Sequence, residues 1–274
     1  MLESWQAITA MHGAFHDILF ATMLCSARLF ALFSIFQGTA SKILQGRARS
    51  GIVILLAAFV AAGQPTDLLQ QLNGPDLFLL GLKEAFIGVV LGYIAATVFW
   101  TAEGVGALID NVAGYNSVQQ QNPLSSNSST PISTLLLQLC ITIFYILGGF
   151  LLLVETVFET YRWWPITSYI PIPAVLLERL VLAQTDTLMT QIIKIASPIL
   201  VVMVLIDLGF GLIAKTAGKL EPNSLAQPVK SATAVLVVLL SLTLFVQQLS
   251  VSLSLADLKA QLHAWSEFAI RTPK

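Results

Sequence analysis

The chain has 274 residues, of which 56% are hydrophobic and only 11% are charged, with a formal net charge of −1 at pH 7. A soluble domain of this length carries about a quarter charged residues, so the composition predicts a polytopic membrane protein. The near-neutral charge, without a basic stripe and interleaved aromatic residues, argues against nucleic-acid binding. Cys25 and Cys140 both lie in apolar runs and are interpreted as small buried hydrophobic side chains.

Six apolar stretches follow one another: residues 18–37, 51–63, 77–100, 132–154, 192–214 and 232–255. Crossing a bilayer takes about 20 apolar residues, and most of the stretches reach that length. The second stretch falls short and must extend into its flanks or be buried in protein. Because none alternates apolar with polar residues, we predict an all-α membrane protein with about six long apolar helices. Residues 177–189 are expected to add a short interfacial helix.

Basic residues indicate the orientation. They cluster in two loops, as Lys42, Arg47 and Arg49, and as Lys215, Lys219 and Lys230. The positive-inside rule places both loops in the cytoplasm, and the N-terminus outside if every stretch crosses. The C-terminal tail, predicted to be amphipathic over residues 256–274, would then also lie outside. Its own basic residues fit that position poorly.

Five charged residues lie within or beside the apolar stretches: Arg28, Lys83, Glu84, Lys194 and Asp207. Each must be paired, face a polar cavity or snorkel. Lys194 lies near the start of a run and is expected to snorkel. Adjacent Lys83 and Glu84 point in different directions on a helix, so we do not expect them to neutralise one another. Arg28 and Asp207 lie deeper, and two hypotheses stand: an ion relay, or polar contacts to other helices or subunits. The second is favoured because no cluster of acids or histidines accompanies them.

Small residues at helical spacing predict close helix packing. Gly88 and Gly92 form one such pair and Ala102 and Gly106 another, although glycine is also simply common in membrane helices. Pro198 interrupts the fifth stretch and is expected to kink its helix, because proline removes a backbone donor.

Two acids follow the third stretch. Glu103 and Asp110 are seven residues apart, which places them on one helix face. That spacing could serve acid–base catalysis or a divalent cation, but a histidine or third ligand is lacking. A solvated helix end is the better interpretation. Because the sequence also carries no nucleophile elbow, P-loop or GxGxxG motif, we predict no enzyme, no cofactor and no metal site.

A polar segment separates the third stretch from the fourth. Residues 111–131, "NVAGYNSVQQQNPLSSNSSTP", contain no Lys, Arg, Asp or Glu. At membrane depth, irregular backbone is tolerated only when it lines an aqueous cavity or is buried in protein.

Three segments together resemble one family. They are "FWTAEGVGALID" (99–110), "GGFLLLVETVFETYRWWPI" (148–166) and "ASPILVVMVLIDLGFGLIAKTAGKLEPNSLAQPVK" (196–230). Their motifs, among them A-E-G-x-G-x-x-I-D and D-L-x-x-G-L, resemble those of the T component of the type III secretion export apparatus, the SctT/FliR family. The match spans most of the chain in the expected order. The polar segment is a departure, since its composition follows no motif of the flagellar version.

The resemblance implies a function and partners. A member of this family is a non-enzymatic subunit of the bacterial inner-membrane export gate, through which unfolded proteins pass. It assembles with R, S and U components (FliP-, FliQ- and FlhB-like), and the V component is a further candidate partner. Its helices form hairpins in a helical hetero-oligomer that is partly displaced toward the periplasm. The chain would then be a single export-gate membrane domain over residues 1–274, of the injectisome type on overall appearance. A secondary transporter for a small solute is the alternative, although the two halves show no repeat.

The resemblance also implies roles for individual residues. The segment after the A-E-G-x-G-x-x-I-D motif, about residues 111–123, would be a luminal plug that helps close the resting channel. The expected plug residues are Asn111, Gly114, Tyr115, Asn116, Ser117, Gln119, Gln120 and Gln121, and the motif before them contributes Glu103, Gly104, Gly106 and Asp110. Assembly contacts are assigned to Arg28, Gly88, Gly92, Pro198, Asp207 and Lys215.

Overall fold

The computed structural model describes residues 2–39, 46–64, 74–115, 130–167, 174–216 and 222–253. Within these ranges the chain forms seven α-helices and one short 3-10 helix, and no strand. The α-helices are α1 (Leu2–Ile35), α2 (Gly46–Ala61), α3 (Gly74–Ala113), α4 (Pro131–Ile146), α5 (Gly149–Trp163), α6 (Ala174–Thr216) and α7 (Pro222–Leu253). The predicted all-α class is confirmed.

Fewer helices than the six predicted are long and apolar enough to cross a membrane. In the part of the chain that the structure describes there are four such spans, namely Ile18–Ile35, Gly74–Ala113, Leu180–Lys215 and Ala226–Thr243. The broken pair α4 and α5 makes a fifth if it counts as one span. The second apolar stretch is not among these spans. It forms α2, which has only 16 residues and is therefore too short to count as a span.

Two predicted boundaries were wrong. The stretch 132–154 is not one helix: α4 ends before Leu147, and Gly148 adopts a positive φ of 72° that lets the chain turn before α5. Residues 177–189 are not a separate interfacial helix, since they are the first part of α6. The predicted C-terminal tail, 256–274, lies outside the described residues.

Pro198 lies inside α6 without ending it. A proline leaves the carbonyl four residues earlier without its helical donor. Here that carbonyl, of Lys194, accepts a hydrogen bond from the Ser197 hydroxyl at 3.1 Å. A local side chain thus replaces the missing backbone donor.

The chain divides into two compact units. The first contains α1, α2, the part of α3 up to Ala96, and α5 from Leu151. The second contains the rest of α3, then α4, α6 from Leu177 and α7.

In the first unit, α1 and α3 pack closely at two glycines. A methyl group added at Gly88 would overlap the carbonyl oxygen of Arg28, and one at Gly92 would come within 2.9 Å of the Leu32 carbonyl oxygen. Such overlaps mean that the two backbones approach as only glycine permits. Of the two interpretations of this glycine pair, the structure supports close packing.

The second unit uses the same device between α3 and α4. A methyl group at Gly106 would come within 2.6 Å of the backbone nitrogen of Ser133. Farther along the same helices, the rings of Phe99 and Phe144 pack edge to face with their centroids 5.4 Å apart. Gly104 faces the Ile192 side chain of α6. These contacts fix the end of α3, where the polar segment begins.

We expect Gly88→Ala to lower the free energy of unfolding by about 1–3 kcal/mol, because the added methyl group meets backbone that cannot give way. Gly81→Ala is the matched control. Gly81 lies on the same helix, and its methyl group would meet only Leu24 Cδ2 at 3.8 Å, so helix propensity should leave stability unchanged or raise it. Reversible unfolding of the two purified variants measures their free energies of unfolding. Equal stability of the two variants would contradict the close crossing.

Candidate functional site

A buried arginine joins three helices of the first unit. Arg28 is fully buried, and its Nε lies 2.6 Å from Oε2 of the equally buried Glu84. Its two other nitrogens donate to the Thr160 hydroxyl at 3.0 Å and to the Trp164 carbonyl at 2.9 Å. The guanidinium carbon lies 3.9 Å from the ring centroid of Tyr161. Each nitrogen of the cation and one of its faces therefore has a partner.

Lys83 completes this cluster. Its ammonium lies 2.9 Å from Oε1 of Glu84 and donates to the carbonyls of Pro165 and Ile166 at 3.1 and 3.2 Å. The expectation that Lys83 and Glu84 do not neutralise one another was wrong. The two residues are adjacent, but both side chains are long enough to bend toward α5 and the turn that follows it. Glu84 thus holds two cations, one on each carboxylate oxygen.

This cluster supplies the partner of Arg28 from within the chain. A buried ion pair depends on hydrogen bonds to its remaining groups, and the two other nitrogens of Arg28 are bonded in this way. Tyr161 is fixed in turn, because its hydroxyl donates to the Cys25 carbonyl at 2.8 Å. The cluster therefore acts as polar cohesion between α1, α3 and α5, the second of the two hypotheses for Arg28.

In the second unit, Asp110 caps a helix that lies elsewhere in the sequence. Its carboxylate oxygens accept the backbone N–H groups of Ile132 at 3.3 Å and Ser133 at 2.9 Å. These are two of the unpaired donors at the start of α4. The N-cap residue of α4, Thr130, makes no side-chain cap of its own. Asp110 thus provides a charge-assisted cap across the polar segment.

Asp110 is fully buried, so its interpretation as part of a solvated helix end was wrong. Glu103 is half-buried, and its backbone carbonyl accepts the Ser133 hydroxyl at 3.1 Å. The two acids of the motif therefore do different things. The carboxylate of Asp110 caps the start of α4, whereas Glu103 contacts α4 through its backbone carbonyl.

The base of the polar segment is held against α7. Gly114 ends α3 with a positive φ of 78°, and a side chain there would overlap the amide of Gln227. That amide donates to the Ala113 carbonyl at 2.5 Å. The Tyr115 hydroxyl donates to the Ser231 carbonyl at 3.0 Å. These bonds satisfy the end of α3, where helical partners run out.

The structure thus describes part of the predicted plug. Asn111 is an exposed residue of the last turn of α3 rather than of a loop, which begins only at Gly114. Gly114 and Tyr115 lie where the chain leaves the helix. Asn116, Ser117, Gln119, Gln120 and Gln121 lie outside the described residues.

The remaining predicted assembly residues lie on α6. Asp207 is about half-exposed and forms an ion pair with Lys230 of α7, while Lys215 is exposed in the last turn. Among the described residues, no group of three or more His, Cys, Asp or Glu is placed to hold a metal ion.

Sequence reasoning missed Glu84 as the partner of Arg28, the aromatic face of Tyr161, and the anchors Gln227 and Ser231. Only Arg28 and Glu84 carried a sequence signal, as opposite charges in two apolar stretches. The others are ordinary residues whose roles depend on which helices meet.

Long apolar helices with charged groups paired inside define a multi-pass membrane protein. The chain belongs to the family described as "Bacterial export proteins, family 1", which matches residues 19–255. It is 31% identical to the Yop proteins translocation protein T of Yersinia pestis over 214 residues, 78% of this chain and 82% of the relative.

Two further relatives come from Salmonella typhimurium. One is the surface presentation of antigens protein SpaR, 26% identical over 84% of this chain and 86% of the relative. The other is the secretion system apparatus protein SsaT, 29% identical over 61% of this chain and 65% of the relative. The resemblance to the SctT/FliR components of type III secretion is confirmed.

Replacing either partner of the buried ion pair should destabilise the protein. We expect Glu84→Leu to lower the free energy of unfolding by about 3–5 kcal/mol, because it leaves Arg28 buried without a counter-charge. Arg28→Met should lower it by less, because Lys83 still pairs with Glu84. The double variant should lie within about 2 kcal/mol of the natural protein, because the buried pair is gone and the remaining cation, Lys83, is partly exposed.

Arg162→Met is the control for loss of a positive charge, since Arg162 is exposed on α5, and it should change stability by less than about 0.5 kcal/mol. The free energies of unfolding of the four variants are measured in mixed micelles and compared with that of the natural protein. A double variant as unstable as the sum of the single variants would show that the pair is not coupled.

Proposed function

We propose that the chain is a non-enzymatic subunit of the type III secretion export gate, where it helps form and close the protein-conducting channel of the bacterial inner membrane. Membership of the bacterial export proteins and the similarity to secretion-apparatus components support this function. The same relationship disfavours a secondary transporter for a small solute. The fully buried charged groups of the described helices, Arg28, Glu84 and Asp110, have partners within the chain and are not gathered around a shared solute-sized polar site.

Unburied apolar surface supports assembly with other subunits. Only 17% of an 18-residue apolar window of α6, and 11% of the Ala226–Thr243 span of α7, are buried within the chain. Large apolar side chains are exposed along both helices, including Leu205, Leu208, Leu212, Leu236, Leu239 and Leu240. Apolar faces this extensive require lipid or protein partners. We propose the R, S and U components as those partners, with the V component as a further candidate.

Helix length supports a position partly displaced toward the periplasm. Helix α3 has 40 residues, which corresponds to about 60 Å at 1.5 Å per residue. The hydrocarbon core of a bilayer is only about 30 Å thick. A helix of twice this length projects well beyond the core, and a single export-gate domain that rises above the membrane accommodates it.

The contacts that hold both ends of the polar segment support the proposed plug. Asp110 at the end of α3 binds Ile132 and Ser133 at the start of α4, so one carboxylate holds the two ends of the segment together. Gln227 and Ser231 hold its base on α7. A segment pinned at both ends and free of charged residues can occupy a channel without being lost from it. Lacking fixed charge, it favours neither acidic nor basic substrates when it gives way.

The proposed assembly contacts divide into two kinds. Arg28, Gly88 and Gly92 act by fixing α1 against α3 inside the chain, which shapes the surface that partners meet. Asp207 and Lys215 on α6 are exposed enough to meet another subunit directly. Pro198 is also exposed on α6 and is proposed to contribute through the local shape of that helix.

Co-expression with the neighbouring membrane components tests the assignment. We expect one copy of this chain to copurify in a stable hetero-oligomer, because its α6 and α7 faces are incomplete alone. Native mass spectrometry gives the stoichiometry. A stable homo-oligomer that transports a solute would defeat the proposal.

Deleting residues 116–121 should leave assembly intact but make the resting channel leak small ions, because the proposed plug is shortened while its anchors Gly114 and Tyr115 remain. Conductance of the reconstituted complex measures the leak. Deletion of residues 124–129 is the matched control, since it removes the same length from the half of the segment not assigned to the plug. Equal conductance of the two deletion complexes and the natural complex would refute the plug.

A further inference from the structure

A cavity of about 230 Å³ lies within the second unit, between α3, α4, α6 and α7. Most of its wall is apolar and includes Ile109, Leu136, Val238 and Phe245. Three polar residues also line it: Gln191, Lys194 and Ser241. The Ser241 hydroxyl donates to the carbonyls of Val237 and Val238, so its donor is already used within α7. Gln191 and Lys194 are the polar groups at the α6 wall.

The wall contributed by α6 changes from polar to apolar along the helix. Gln191 and Lys194 come first, and Ile195, Pro198 and Ile199 follow on the same face at helical spacing. The sequence changes at the same point. Residues 184–191 are rich in Thr, Gln and Asp, whereas residues 195–206 are almost entirely apolar. Such a change in composition beside a lysine is typical of a helix that enters hydrocarbon with the lysine snorkelling to its edge.

Lys194 is an exposed cation without a counter-charge among the residues that the structure describes. Within these ranges its ammonium makes no ion pair and no hydrogen bond, unlike Lys83 and Lys230. No acidic side chain of the described residues lines the cavity. The site thus combines an unpaired positive charge with a narrow apolar space directly beside it.

We propose that this cavity binds an anionic phospholipid, with its phosphate on Lys194 and one acyl chain in the apolar space. The proposal goes beyond the channel function and rests on it only in placing the chain in a bilayer. A partner helix, about 10 Å across, is too wide for a cavity of this volume. An unbranched acyl chain is narrow, and the attached phosphate supplies the missing anion. A zwitterionic lipid would bring an ammonium group that finds no acid on the wall.

The test uses the purified co-expressed complex and phosphatidylglycerol with a diazirine in its acyl chain. After illumination, peptide mapping should find the label on the segment of α7 that contains Val238 and Phe245. Lys194→Gln should reduce this labelling about fivefold, the factor equivalent to about 1 kcal/mol for one lysine–lipid contact. Lys194→Arg should retain it, because the charge is kept.

Two matched controls separate the site from general lipid contact. Arg162→Gln removes an exposed cation of α5 and should leave the labelling unchanged. Val238→Phe fills the cavity and should abolish it, whereas Val235→Phe, at an exposed position of α7, should not. Native mass spectrometry of each variant complex confirms that assembly is retained.

Equal labelling by a phosphatidylcholine probe would overturn the proposal, as would unchanged labelling in an assembled Lys194→Gln complex. Carbodiimide cross-linking of Lys194 to a carboxylate of another subunit would also overturn it, by identifying a protein partner. These results would leave the channel assignment standing. That assignment fails only if the unmodified chain forms no hetero-oligomer.

Discussion

The first unit is organised around a single buried cation. A guanidinium group without water needs partners for its donors, and each of the three nitrogens of Arg28 has one, namely Glu84, Thr160 and Trp164, while the ring of Tyr161 lies against the cation. These partners come from α3, α5 and the turn after α5, so the requirements of one side chain fix three helices together. The glycine contacts between α1 and α3 make this possible, because they bring the backbones close enough for Arg28 to reach Glu84.

In the second unit, the polar groups that need partners are backbone groups at helix ends rather than a buried cation. The end of α3 and the start of α4 both carry backbone groups without helical partners. Asp110 satisfies the donors of α4, while Gln227 satisfies the Ala113 carbonyl of α3. One carboxylate and one amide thereby define where the polar segment leaves the helices and where it returns. Both ends of the segment are therefore held by side chains of the surrounding helices.

The sequence was sufficient for what depends on local pattern. Apolar runs predicted the helical class. The length of the second stretch indicated a helix that either extends into its flanks or does not span, and the spacing of Gly88 and Gly92 offered a close crossing as one of two interpretations. It was insufficient where distant residues meet. Asp110 was interpreted as solvated because nothing near it in sequence shows that α4 begins against it. Lys83 and Glu84 were separated by their helical angles, although flexible side chains and a shared turn bring their charges together.

The shared carboxylate at Asp110 also bears on how the protein can change over evolution. Closing a flexible segment between fixed ends has an entropic cost that rises slowly, by about 0.6 kcal/mol for each doubling of its length. Because the ends here are fixed by backbone N–H groups of α4 rather than by residues inside the segment, insertions and deletions leave the cap intact. The surrounding helices can therefore keep their packing when the segment changes in length or composition.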